Sequence, residues 1–209
     1  MYPYLLYASG VLLLALPSTP LIRRYFKTLS LSELLQLNGG SFGWLHPLKA
    51  MDLLRAYAGA TLLNAAFAAI DPSGPQQWPA RLVLLIAMTA GLLIQHDLHR
   101  TKDDTLHAPV AYLAGLALAI LPLKVALFAL PIGILAAIGL RHLSWGFLMT
   151  AVAAGGFGLL FKQNYQTLAT ACFLLTLPLL LSRLLNRSLV LAVRSNLITV
   201  KAADYGRLR

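Results

Sequence analysis

The chain has a single cysteine, Cys172, and only 7 acidic residues against 17 lysines and arginines in 209. One thiol excludes an internal disulfide, and without a CxxC pair there is no zinc-ribbon spacing. Charge of either sign is scarce at 11%, against 58% hydrophobic residues. A soluble domain of this length needs polar helix faces to cover its core, and the apolar runs have almost none. No GxSxG elbow, P-loop or Ser-His-Asp arrangement is present. The usual hydrolase and nucleotide-binding signatures are therefore missing. The N-terminal Met-Tyr-Pro-Tyr also lacks the basic n-region of a cleaved signal peptide, which favours an uncleaved first span.

What the sequence does have is apolar length. Stretches at about 4–22, 51–70, 80–95, 108–122, 125–140, 145–161 and 168–181 read as membrane-embedded helices. The expected fold is all-α: a polytopic membrane helix bundle of about seven spans, or five, an odd number because merging the stretches around Pro122 and Lys124 into one would put the basic tail outside. The basic residues orient it. With the N-terminus outside and the C-terminus inside, the inner links hold Arg23, Arg24, Lys27, Lys49, Arg100, Lys102 and Arg141. The inner tail adds Arg183, Arg187, Arg194, Lys201, Arg207 and Arg209, while the outer links keep only Arg81, Lys124 and Lys162. Lysine and arginine near span ends resist translocation, so this bias places the protein in a bacterial inner membrane. The +10 charge borders apolar segments rather than forming one stripe, which points to anionic lipid and away from nucleic acid.

Residues 1–182 form the expected bundle and 183–209 a basic cytoplasmic tail. In the first inner link, Ser30 and Glu33 have capping-box spacing, predicting a short helix over 31–37 that stops at Asn38-Gly39-Gly40. In the sixth stretch, the small residues from Ala153 to Gly158 predict close helix packing. If the tail is helical, Arg183, Arg187, Arg194 and Lys201 share one face, and this reading is preferred. A short hairpin about Ser195-Asn196 is the alternative.

Three groups of residues can carry chemistry. His96, His99 and His107 lie in a segment with Asp97, Asp103 and Asp104, a candidate metal set whose spacing fits no standard motif. Arg55, His96, Arg100, Lys102, Arg141 and His142 are the anion or lipid-phosphate candidates, because guanidinium and imidazolium groups suit a phosphate at a membrane edge. Asp52 and Arg55 sit one turn apart near hydrocarbon, a position where ionised groups are expensive. Asn64, deeper in that helix, is expected to bond a neighbouring helix. No residue type or spacing selects a cofactor.

Three local stretches resemble the bacterial acyl-phosphate:glycerol-3-phosphate acyltransferases, the PlsY family. Met51-Asp52-Leu53-Leu54-Arg55-Ala56 is similar to the family's Asp-x-x-Lys-Gly. Gln95-His96 through Tyr112-Leu113-Ala114-Gly115 to Leu121-Pro122 is similar to its run from Gly-His through a Gly-Gly-Lys-Gly loop to a proline. Arg141-His142-Leu143-Ser144 is similar to its Arg-Tyr-x-Ser. These cover about 51–160. The resemblance implies a small multi-span fold with inner functional loops acting on lipid phosphates. The glycine-rich catalytic loops are missing, with Asp103-Asp104-Thr105-Leu106 in the region of one of them. Aspartates in a phosphate cradle remove exposed amides and add repulsion. The expected role is therefore a non-catalytic or degenerate lipid-associated protein, or a subunit of a membrane complex. The alternative is an acyltransferase acting on glycerol phosphate or another lipid phosphate.

Overall fold

A computed structural model describes residues 2–17, 26–37, 47–70, 77–96 and 105–194. Helices dominate: α1 (Tyr2–Ala15), α2 (Leu31–Leu37), α3 (Pro47–Ile70), α4 (Gln77–Gln95), α5 (Val110–Ile120), α6 (Leu123–Leu140), α7 (Leu143–Leu160) and α8 (Tyr165–Leu184). Among the described residues, α6, α7 and α8, at 18, 18 and 20 residues, are long and apolar enough to cross a membrane. α1 and α5, with 14 and 11 residues, reach only about 21 and 16 Å at about 1.5 Å per residue. α3 has 24 residues but carries Lys49, Asp52 and Arg55. Helix length and composition thus support three spans rather than seven, and carry no information on which side faces the cytoplasm.

The capping box forms as predicted. The Ser30 amide donates to the Glu33 carboxylate at 2.8 Å, and the Glu33 amide donates to Ser30 Oγ at 3.3 Å. The Ser30 amide, and then its hydroxyl, donate to the Glu33 carboxylate and hold it below its usual range. Pro122 stands at the N-cap of α6 and separates it from α5, whereas α6 runs on through Pro131. Asn164 caps α8 by accepting from the Gln166 amide at 2.9 Å. Arg141, Lys162 and Asn186 end α6, α7 and α8 in the left-handed region, at φ 55°, 52° and 51°.

The tail departs from expectation. Its first part is a strand, β3 (Ser188–Arg194), which joins β1 (Phe26–Leu29) and β2 (Thr105–His107) in a sheet ordered β1-β3-β2. β1 is antiparallel to β3, from Phe26↔Arg194 to Leu29↔Leu191. β2 is parallel to it, from Thr105↔Ser188 to His107↔Val190. The helical reading failed because Leu189, Val190 and Leu191 are consecutively buried, which a one-sided basic helix cannot achieve. The hairpin alternative foresaw a strand here, but its proposed return segment beyond 194 lies outside the described residues. Strands from three separate links thereby tie one end of the bundle together.

Two apolar clusters run through the bundle. One joins Leu31, Leu34, Leu189 and Leu191 at the sheet end to Leu14, Ala60, Leu63, Met88 and Tyr112. Ala137, Leu143 and Phe147 belong to it, so the turn at 141–142 also lies at the sheet end. The other gathers Leu121, Val125, Ala129, Ala154, Leu168 and Ala171 away from the sheet. Close approach is set by small residues: a Cβ on Gly59 would stand 2.9 Å from the Leu14 side chain, and one on Gly146 2.7 Å from Ala137 Cβ. The predicted small-residue stretch contributes in part. Gly158 packs beneath Leu168, but Gly156 meets nothing within 4 Å.

Candidate functional site: a polar junction at the sheet end

Helix α1 ends at Ala15, two residues before Pro17, and leaves carbonyls without intrahelical partners. Three helices supply donors for them. Gln95 Nε2, at the end of α4, donates to Leu16 O at 2.8 Å and to Leu14 O at 3.4 Å. Tyr112 Oη, from the first turn of α5, donates to Leu14 O at 3.1 Å. Arg55 Nη1, from α3, donates to Leu16 O. A cation suits this place, since the C-terminal end of a helix carries partial negative charge.

The same guanidinium meets Asp52 Oδ1 at 3.1 Å and lies 5.6 Å from the centre of the Tyr112 ring. Both partners of this ion pair are only 14% exposed. Arg55 therefore does not snorkel away as a lone cation. It completes a junction in which α1, α3, α4 and α5 are fastened through polar atoms. Removing one member of such a pair is costly, because the other stays largely buried.

His96 follows Gln95 directly and is fully buried. Its Nδ1 donates to Leu92 O at 2.8 Å, and its Nε2 has no hydrogen-bond partner. Burial outweighs that bond and holds the imidazole below its ordinary range, so it is neutral near pH 7. His96 thus lies inside the bundle rather than on its exposed surface. Arg141 and His142 lie exposed in the α6–α7 turn, at the sheet end but outside the junction. Arg100, Lys102 and His99 lie outside the described residues. His107 is in β2, and among the described residues no three His, Cys, Asp or Glu side chains are grouped to hold a metal. Asn64 is exposed on α3 rather than turned to a neighbouring helix.

Beside the junction is a small pocket between the first turn of α3, the link from β2 into α5, and β3. Lys49, Asp52, His107 and Tyr112 provide its polar lining; Leu48, Pro109, Val110 and Leu191 are among its apolar walls. Burial pushes the Lys49 ammonium down to about 8. Gln95, Tyr112 and Lys49 were not among the sequence candidates. A glutamine closing an apolar helix was the one available signal, because Gln95 has no reason to end a span unless it finds a carbonyl there.

The junction is suited to holding helices together rather than to reaction. The Asp52 charge is matched by Arg55, and the Tyr112 hydroxyl is committed to a backbone carbonyl. No family model matches the chain, and neither a curated protein nor a solved structure is significantly similar to it.

Proposed function

We propose that the protein is a non-catalytic, lipid-associated component of a bacterial inner membrane, whose sheet-bearing end rests on the anionic inner leaflet. In this reading all seven apolar helices other than α2 enter the bilayer, with the N-terminus outside, and the PlsY-like stretches are vestiges of a lipid-phosphate fold. One observation carries it. The deepest cationic candidate, Arg55, is occupied by Asp52 and the end of α1, while Arg141, His142 and Arg183 stand exposed. Exposed cations beside a membrane contribute about 1 kcal/mol each toward anionic lipid.

The test is lipid retention by native mass spectrometry after exchange into mixed phosphatidylglycerol and phosphatidylcholine nanodiscs. Preferential phosphatidylglycerol adducts that weaken in an Arg141→Gly/Arg183→Gln double variant support the reading. Equal retention of both lipids by the wild type refutes it. Cysteine-accessibility labelling at positions 141 and 187, in a Cys172→Ser background, checks that both face the cytoplasm.

A further inference from the structure

We infer that the outward face of α3 pairs with the same face of a second copy, through hydrogen bonding between the two Asn64 carboxamides. This rests on the reading that α3 enters the bilayer and adds a partner to it. From Ala56 to Ile70 the helix carries no charged residue, and its polar side chains are Tyr57, Thr61 and Asn64. The Thr61 hydroxyl donates within the helix, to Ala58 O at 2.9 Å. Asn64 is exposed, and among the described residues its carboxamide has no hydrogen-bond partner. At about 1.5 Å per residue, Arg55 lies about 14 Å from it along the helix and Ile70 about 9 Å the other way. So short a side chain reaches neither headgroup zone. It faces hydrocarbon, where an unmet amide is costly.

Chemistry selects the partner. A carboxamide both donates and accepts, so it is complementary to its own copy. Copies inserted in one orientation close a two-fold pair about the bilayer normal, with Asn64 opposite Asn64 at equal depth. The surrounding face permits that approach. Leu54, Tyr57, Asn64, Ala65 and Ala68 are exposed along it, with no charge among them to repel a second copy. Beside the amide, Ala65 and Ala68 are small enough to let two backbones come close, as interhelical amide bonds in membranes require.

The experiment counts subunits by single-molecule photobleaching of the full-length protein in liposomes, labelled at Lys162→Cys in a Cys172→Ser background. This parent is expected to pass from monomer to dimer as the protein-to-lipid ratio rises. Adding Asn64→Leu should raise the ratio required about tenfold, and Asn64→Gln, which keeps the amide, should largely retain pairing. Oxidative crosslinking at Ala68→Cys should give a dimer, whereas Leu135→Cys, exposed on α6, should not. Dimerisation of Asn64→Leu at the parent's ratio overturns the assignment, as do a parent that is monomeric at every ratio and equal crosslinking at 68 and 135. Crosslinking from 68 to a different polypeptide in native membranes, in place of a second copy, overturns it as well. If Asn64→Leu fails to insert, Ala65→Trp blocks the approach from outside the bundle; unchanged dimerisation of that variant overturns the assignment. Phosphatidylglycerol retention should be unaltered in Asn64→Leu, so a monomeric parent that still selects this lipid defeats the pairing alone. Rapid reaction of Asn64→Cys with a water-soluble maleimide in dilute liposomes instead defeats the bilayer reading of α3, and the pairing with it.

Discussion

Small residues bring helices close in both the α1–α3–α4 half and the α6–α7–α8 half of the bundle, and the first adds a polar junction. In the first, α1 stops after 14 residues, and Arg55 with its partner Asp52, a glutamine and a tyrosine gather at the carbonyls that end it. In the second, three long apolar helices meet through small residues and a row of stacked rings, Phe128, Phe157 and Phe161. Their threonine hydroxyls bond within their own helices, as Thr150 does to Gly146 O at 2.7 Å, while Cys172 Sγ reaches Ala151 O across α7 and α8 at 3.4 Å. Helices long enough to bury their own amides need only shape to associate. A helix that stops early needs partners for its exposed end.

The largest effect should come from breaking the junction. Arg55→Met removes the guanidinium that meets Asp52 Oδ1 and one of the two donors to Leu16 O, at a cost of about 3–5 kcal/mol. Thermal unfolding in detergent should show this, and a double Asp52→Asn/Arg55→Met variant should recover part of the loss. A double variant no more stable than Arg55→Met would mean that the pair is not coupled.

Shape is the corresponding weakness of the other half. Gly146→Leu drives a side chain into Ala137 and should cost about 1–3 kcal/mol while leaving the junction intact. Limited proteolysis separates the two outcomes, since cleavage should then rise around 141–142 and not near Pro17.

A smaller effect belongs to the helix cap outside both halves. Ser30→Ala should cost about 1 kcal/mol. Because the Glu33 carboxyl is held below its ordinary value, its stabilising contribution is complete above that value. It is lost as pH falls through the lowered one. An acid titration of wild type against Glu33→Gln should therefore converge at low pH, and parallel curves would remove the capping interaction from the account.

Smallest of all, Arg141→Gly relieves a left-handed non-glycine residue and should stabilise by about 0.5 kcal/mol. The same change removes an exposed cation. Its effect on lipid retention can then be read without a folding defect.

The sequence disclosed helices well wherever punctuation was local. The bounds of α4, α6, α7 and α8 follow apolar length, and α2 follows Ser30 and Glu33. The break at Pro122 was legible too, although Pro131 proved compatible with a continuous helix. The sheet was not legible, because its strands lie at 26–29, 105–107 and 188–194 and only β3 has a visible pattern of its own. Spacing of arginines at 183, 187 and 194 suggested a helix. Spacing of charge on a surface records less than which residues are buried, and Leu189 to Leu191 decided the matter. Of the candidate site, Asp52 and Arg55 were marked by their depth. Their role was hidden because the acceptors are main-chain oxygens on α1, which no side-chain motif reveals.

The central position of β3 has a consequence for biogenesis. β1 and β2 each pair with β3, and β3 is the last of the three to leave the ribosome. Until α8 has been made and β3 emerges, both earlier strands lack the strand with which each pairs. Closing the sheet is thus a late step that requires residues 26–29, 105–107 and 188–194 to have come to the same end of the bundle.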